Sequence, residues 1–573
     1  MSVQTNSLKP LDLVNIVDPR LKCLTFGQEK QEYGVVKGAS YSNYQQQKAN
    51  AYSQAGISFN WNTQGQSTMI DRRIYVKCQF QVSMTGIPNI DTFLFNDSLC
   101  SPRAFPLGST TENLTVTING TSITTSYADV LQALLRYNGN NELSQYDLSG
   151  TPTMLDNYAT YEEGVGTVRN PLNTYGDSGQ KDGRGSFKVD VISNPVGDGN
   201  NSKTAVVKFT VVEPLIMSPM GYSSQHLEQA FIGVNNFAIQ MNFSNLNRVW
   251  SQVLQGTENL TDFNVKIGAG ITEQPELLIN YLSTPLVDEV EIPNEVVYDY
   301  CNLDTYQNDQ NTVIASGASQ TFTNNAIQLS TVPSGIWIYC AVPRGSKTFE
   351  DADAFFRINN ISLQYLNVSG QFSSATINDL YNLSVKNGCK MSFQEWSGFS
   401  NSYNVNIGGV PMVGSVLKID ATDLALPSNL APSCNANSQL QFKINITNQS
   451  KLPREVSIYT IVANSGLMTI AENSMMTQLA VLTQEDVLLS RRDGDYRDNN
   501  TQTLLYGGSF WGSLKNLGKS ISKFVKRTGL DKVAEEEIKT VGKEMIRNKI
   551  RGTGGALVGG KQLSRAELKM LMA

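Results

Sequence analysis

Residues 114–139 read LTVTINGTSITTSYADVLQALLRYNG, and residues 360–388 read NISLQYLNVSGQFSSATINDLYNLSVKNG. Each starts as an alternating strand, turns at a glycine and continues into a short helix that closes on Asn-Gly. In the first, Asn119-Gly120 between alternating runs is a strong hairpin signal. Ser126 stands where a cap belongs, Asp129 follows three residues later, and Asn138-Gly139 ends the helix. In the second, Thr376 caps, Asp379 follows, and Asn387-Gly388 closes. From Gly120 to Gly139 is 19 residues, from Gly370 to Gly388 is 18, and the two copies are offset by 250. The same strand–turn–helix unit is used twice without residue identity, which predicts two similar halves.

Strand signals fill the space around these units. DRRIYVKCQFQVSMTG (71–86) puts Ile74, Val76, Cys78, Phe80, Val82 and Met84 on one face. TAVVKFTVVEPLI, GIWIYCAVP, LQFKINITN and EVSIYTIVA read as further strands. The loop at 162–185 is long and rich in Gly, Asn and Asp, as loops that make contacts often are. A Pro/Met/Gly/Ser stretch after Glu213-Pro214 reads as a linker, and a new apolar pattern starts near Phe231. The expected fold is all-β: two tandem eight-stranded jelly-roll barrels with short inserted helices, plus a helical C-terminal tail. The expected division is an N-terminal arm at 1–59, a first jelly roll at 60–222, a second at 223–508, and a basic amphipathic tail at 509–573.

Composition points the same way. The chain has 573 residues, and only 17% are charged, where about 25% is usual. Asn, Gln, Ser and Thr must supply much of the polar surface, which suits subunits that pack side by side. The net charge of −6 divides into +8 for residues 509–573 and −14 for the rest, an acidic body with a basic end. Seven cysteines are scattered without a CxxC, which predicts free, buried thiols. The N-terminal stretch has no basic-then-apolar signal, and no apolar run reaches membrane-spanning length.

No catalytic set is visible. His226 is the single histidine, the glycine-rich stretches lack a Gly-Lys-Ser/Thr ending, and no metal-ligand or cofactor-binding spacing occurs. The chain reads as a non-enzyme without cofactor or metal.

Two jelly rolls in tandem, each with a helix at the same place, resemble the double jelly-roll major capsid proteins of adenoviruses, polinton-like viruses and virophages. EPLIMSPMGYSS (213–224) with FIGVNNFAIQMNFSNLNRVW (231–250) looks like the join between the barrels in that family. DRRIYVKCQFQVSMTG looks like the start of its first barrel. The resemblance implies a structural protein of the virion, assembled in host cytoplasm or nucleus. It implies a homotrimer whose six barrels form a pseudo-hexagonal tile beside neighbouring capsomers and a penton-like vertex protein. The alternative is a minor, penton-like vertex protein or an attachment protein that binds a host receptor or glycan.

In the tail, Phe510, Leu514, Leu517, Ile521 and Phe524 fall on one helical face, and Trp511 and Val525 widen it. Lys515, Lys519, Lys523, Lys526 and Arg527 lie across the polar side and flank. The pattern fits an interfacial membrane helix, a helix docked inside the capsid, or one that contacts nucleic acid. GGSFWGSLKNLGKSISKFVKRTG resembles the start of the mature adenoviral internal protein that disrupts membranes. The adenoviral maturation protease cuts after an aliphatic residue, any residue and Gly-Gly, or within aliphatic–any–Gly–any–Gly. Matching bonds join Gly508 to Ser509, Thr553 to Gly554 and Gly560 to Lys561. The resemblance therefore implies an adenovirus-like protease as a partner and a released, membrane-active or docking tail. The tail lacks the cysteine of the adenoviral protein and is fused to the capsid subunit, two departures from that pattern.

Overall fold

A computed structural model describes residues 41–63, 69–85, 100–138, 150–159, 189–193, 204–220, 230–252, 262–268, 270–283, 295–400, 410–471, 474–485 and 487–488, with Leu143 and Tyr146. Its strands form two barrels of one design. In the first, the eight strands in chain order are Tyr41–Lys48, Gly56–Asn62, Tyr75–Thr85, Thr111–Ile118, Thr121–Ser126, Thr204–Pro214, Asn236–Phe243 and Glu276–Ser283. One sheet pairs them first–eighth–third–sixth, the other second–seventh–fourth–fifth. In the second barrel the strands are Glu295–Ile314, Ser319–Thr323, Gly335–Ala341, Arg357–Tyr365, Val368–Gln371, Val416–Asp420, Asn435–Thr447 and Arg454–Ala471. They pair in the same two orders. This is the jelly roll, made twice. Short extra strands extend the edges, including Ala51–Ser53, Val189–Ser193 and Ser474–Leu479.

Period-two alternation builds the cores. Along Tyr75–Thr85 every second residue is buried, which places Val76, Cys78, Phe80, Val82 and Met84 inside. The opposite strand Asn236–Phe243 turns Phe237, Ile239 and Met241 inward in the same way. Asn119 and Gly120 both take positive φ, 47° and 83°, the requirement of the two-residue turn between the fourth and fifth strands. The thiols of Cys78, Cys340 and Cys389 are free and buried, Cys434 is buried, and the thiol of Cys301 is free and half-buried.

In each barrel the fifth strand, at the sheet edge, leads into a helix: Tyr127–Leu135 in the first and Ile377–Lys386 in the second. The Thr376 cap forms as expected, with its hydroxyl accepting from the Asp379 amide at 3.3 Å and the Asp379 carboxylate accepting from the Thr376 amide at 2.9 Å. The expected Ser126 cap does not form. Asp129 is instead engaged by the second barrel.

Strand pairing moves the expected boundaries. The division at 222/223 falls inside the first barrel, because strands Asn236–Phe243 and Glu276–Ser283 complete its two sheets. The linker-like stretch after Pro214 is packed rather than exposed: Leu215, Ile216, Met217 and Met220 are buried. The expected arm at 1–59 also contributes, since Tyr41–Lys48 pairs with Glu276–Ser283. A jelly roll places its eighth strand beside its first, so neither end of the barrel can be read from a local change in composition. The second barrel starts at Glu295 among the described residues.

Candidate functional site: the joint between the barrels

Among the described residues, the densest polar chemistry lies where the barrels meet. The segment after the third strand of the second barrel carries Arg344, Lys347, Asp351 and Asp353 into the first barrel. There it meets Arg103 before the short helix Pro106–Thr110, Arg136 at the end of helix Tyr127–Leu135, Arg248 in the turn Leu246–Val249, and Asp156. The Asp353 carboxylate is clamped by two guanidiniums, Arg103 at 3.0 Å and Arg248 at 2.6 Å. Its amide donates to Asp156 at 2.8 Å. Arg103 also donates from Nε to the Arg248 carbonyl at 2.7 Å, which ties the two cations to each other. Burial alone would raise the Asp353 carboxyl, but Arg103, Arg248 and Lys347 outweigh it and hold it well below the usual range.

Arg344 pairs with Asp129 and, at 3.0 Å, with Glu112. Burial raises the Asp129 carboxyl against the pull of Arg344. The hydroxyl of Tyr339 donates to the Asp129 carbonyl at 3.0 Å, and that of Tyr137 donates to the Val416 carbonyl at 3.0 Å. Phe263 stacks on Phe349 with centroids 4.2 Å apart. At a second latch, Arg72 donates to the Pro219 carbonyl at 2.6 Å and pairs with Asp299 at 3.2 Å. Its guanidinium lies 5.6 Å from the Phe231 ring and 5.8 Å from the Tyr298 ring. The Tyr298 hydroxyl accepts from the Ile232 amide at 2.8 Å and donates to the Ala230 carbonyl at 3.2 Å.

Beside this network a cavity of about 30 Å³ is lined in part by Lys347, Asp351, Phe355, Gln449 and Arg454. Burial lowers the Lys347 ammonium to about 8. The cavity is large enough for water. Among the described residues no group of three or more His, Cys, Asp or Glu could hold a metal ion. The chemistry of the joint is orientation: buried ion pairs tolerate little misalignment, and losing one partner strands the other charge.

The residues expected to act in the tail, from Gly508 to Lys561, lie outside the described residues, as do His226 and the loop at 162–185. The joint was not anticipated. Its members are single charges scattered from Arg103 to Asp353, with no spacing to link them. The available signal was an arginine inside apolar surroundings, as in SPRAFP, ALLRYN and LNRVW.

Known proteins match along both barrels. The family model for the Sputnik virophage major capsid protein first domain matches residues 12–282, and that for the major capsid protein V20 C-terminal domain matches residues 303–466. A Sputnik virophage protein named as capsid protein V20 is 26% identical over 99% of both chains. The cryo-EM structure of the Sputnik virophage superposes with a TM-score of 0.70 at 23% identity, covering 83% of this chain and 95% of that one. The mavirus major capsid protein superposes with a TM-score of 0.64 at 17% identity, covering 78% and 92%. With its two jelly rolls matched in order by the two domain models, the chain belongs to the double jelly-roll major capsid proteins of the virophage type.

Proposed function

We propose that three copies of this chain form a capsid tile of six barrels, and that the segment beyond Gly508 is cut free during maturation. The structural, non-catalytic role follows from the family. The observation that supports the tile is the joint: the partly buried Asp353, held between the buried Arg103 and Arg248, ties the two barrels together, which suits a lattice subunit. A vertex or attachment protein has less use for two matched barrels held in a set orientation. Light scattering on the full-length chain tests the reading. A stable three-chain species is expected; a monomer or a five-chain species would overturn it.

The tail rests on sequence alone. Its apolar stripe from Phe510 to Phe524 and its lysines support a membrane or inner-capsid contact, and the Gly508–Ser509 bond supports release. Incubation of the assembled particle with an adenovirus-type maturation protease should yield a new N-terminus at Ser509 by mass spectrometry. A peptide of residues 509–529 should leak dye from anionic vesicles. An uncut chain and intact vesicles would leave only the capsid role.

A further inference from the structure

Most cations at the joint have partners. Arg103 and Arg248 hold Asp353, and Arg454 pairs with Asp351 at 2.5 Å. Arg136 donates to the Asp156 carbonyl at 2.8 Å. Lys347 differs. Only 7% of its surface is exposed. Its backbone is held, with the amide donating to the Arg344 carbonyl at 3.3 Å and the carbonyl accepting from the Asn245 side chain at 3.1 Å. Yet its ammonium makes no ion pair and no hydrogen bond among the described residues. Burial, helped by Arg248, lowers it to about 8, so it keeps its charge at pH 7. A buried charge without a partner is costly.

Lys347 and Arg454 both line the cavity of about 30 Å³. The other polar groups on its wall are already engaged. Gln449 donates to the Phe355 carbonyl and accepts from the Arg357 amide at 3.1 Å. Asn448 donates to the Ile314 and Leu452 carbonyls at 2.9 and 2.8 Å and accepts from the Ser450 amide at 3.0 Å. The Ser450 hydroxyl donates to the Leu452 carbonyl at 2.8 Å. Besides Arg454, Asp351 accepts from the Thr348 amide at 2.7 Å and its hydroxyl at 3.1 Å. What remains is N–H: the Lys347 ammonium and the Arg454 groups not spent on Asp351. Unspent donors on two cations select an occupant that only accepts and is negative. The volume restricts it to about the size of a water molecule. We propose that a halide, chloride in the cell, occupies this cavity as the counter-ion of Lys347. Arg454 opens the eighth strand of the second barrel, and Lys347 is bonded to Asn245 of the first. The ion therefore fastens the joint by neutralising its unmatched cation.

The test uses crystals of the full-length chain grown without chloride and soaked in sodium bromide. Bromide should give an anomalous difference peak in the cavity, in contact with the Lys347 ammonium. Urea unfolding at pH 7 gives the second readout, with chloride exchanged for gluconate, too large for the cavity, at constant ionic strength. Above half-saturation, each tenfold rise in chloride should raise the folded-to-unfolded ratio about tenfold. Lys347→Met keeps the apolar stem and removes the charge. It should lose both the bromide peak and the chloride dependence. Cavity density without an anomalous signal means water and overturns the site. So does a chloride dependence that Lys347→Met leaves unchanged. A bromide peak without any chloride dependence marks an adventitious ion only and overturns it as well.

Discussion

Asp353 stands between Arg103 and Arg248, and Asp353→Ala would leave two cations facing each other in a buried site. Breaking such a cluster costs about 3–5 kcal/mol, measurable as a lower urea midpoint. Glu213 is a second buried charge. Its carboxylate accepts from the Leu107 and Gly108 amides at 2.7 Å each, yet burial raises it from 4.5 to about 7. The folded chain then binds more protons than the unfolded one across that window, so stability falls as pH rises through it. Glu213→Gln should flatten the pH dependence of the unfolding free energy between those values. Lys347 works in the opposite direction. Its folded value of about 8 lies below 10.5, so the folded chain binds fewer protons there and stability rises with pH across the interval. Lys347→Met should remove that rise and raise stability at neutral pH. None of these roles is legible in the sequence, where Glu213 and Lys347 look like ordinary strand-end and loop charges. Burial by a distant segment makes them matter.

The helices show which element-level signals carry through to the structure. Both were legible from a polar residue at the cap position and a closing Asn-Gly; the turn expected at Gly120 is the hairpin turn, whereas Gly370 lies within the fifth strand and the second hairpin turns at Leu366-Asn367. At Thr376 the cap is made by its own neighbours, and the reading holds to the atom. At Ser126 the same pattern makes no cap, and the Asp129 carboxylate pairs with Arg344 across the joint. Thr376→Ala should therefore cost about 1 kcal/mol, and Ser126→Ala markedly less, in matched chemical denaturation curves. Glycines divide similarly. Gly120 needs only its positive φ and has open space where a Cβ would sit. Gly414, at φ +102°, would bring a Cβ within 2.0 Å of the Phe355 carbonyl oxygen, so Gly414→Ala should lower the unfolding midpoint far more than Gly120→Ala.

At the scale of the whole molecule, the joint predicts coupled unfolding. Arg103, Arg136 and Arg248 from one barrel and Asp353 from the other form one buried network. Calorimetry on the full-length chain should show a single main transition, which Asp353→Ala should split into two. The division of the chain shows the limit of local reading most clearly. The two-barrel count was legible because alternation and capping pairs depend on neighbours within a few residues, and the Ser126/Asp129 pattern is repeated 250 positions on at Thr376/Asp379. The boundary was misplaced by about 70 residues, since Glu276–Ser283 returns to pair with Tyr41–Lys48. A strand that closes a barrel carries the same alternation whichever sheet it joins. Local pattern thus determines that strands, turns and helices form, because their hydrogen bonds and caps are short-range. Partner choice, the burial of Glu213 and the clamp on Asp353 depend on contacts between residues far apart in sequence, and packing alone selects those.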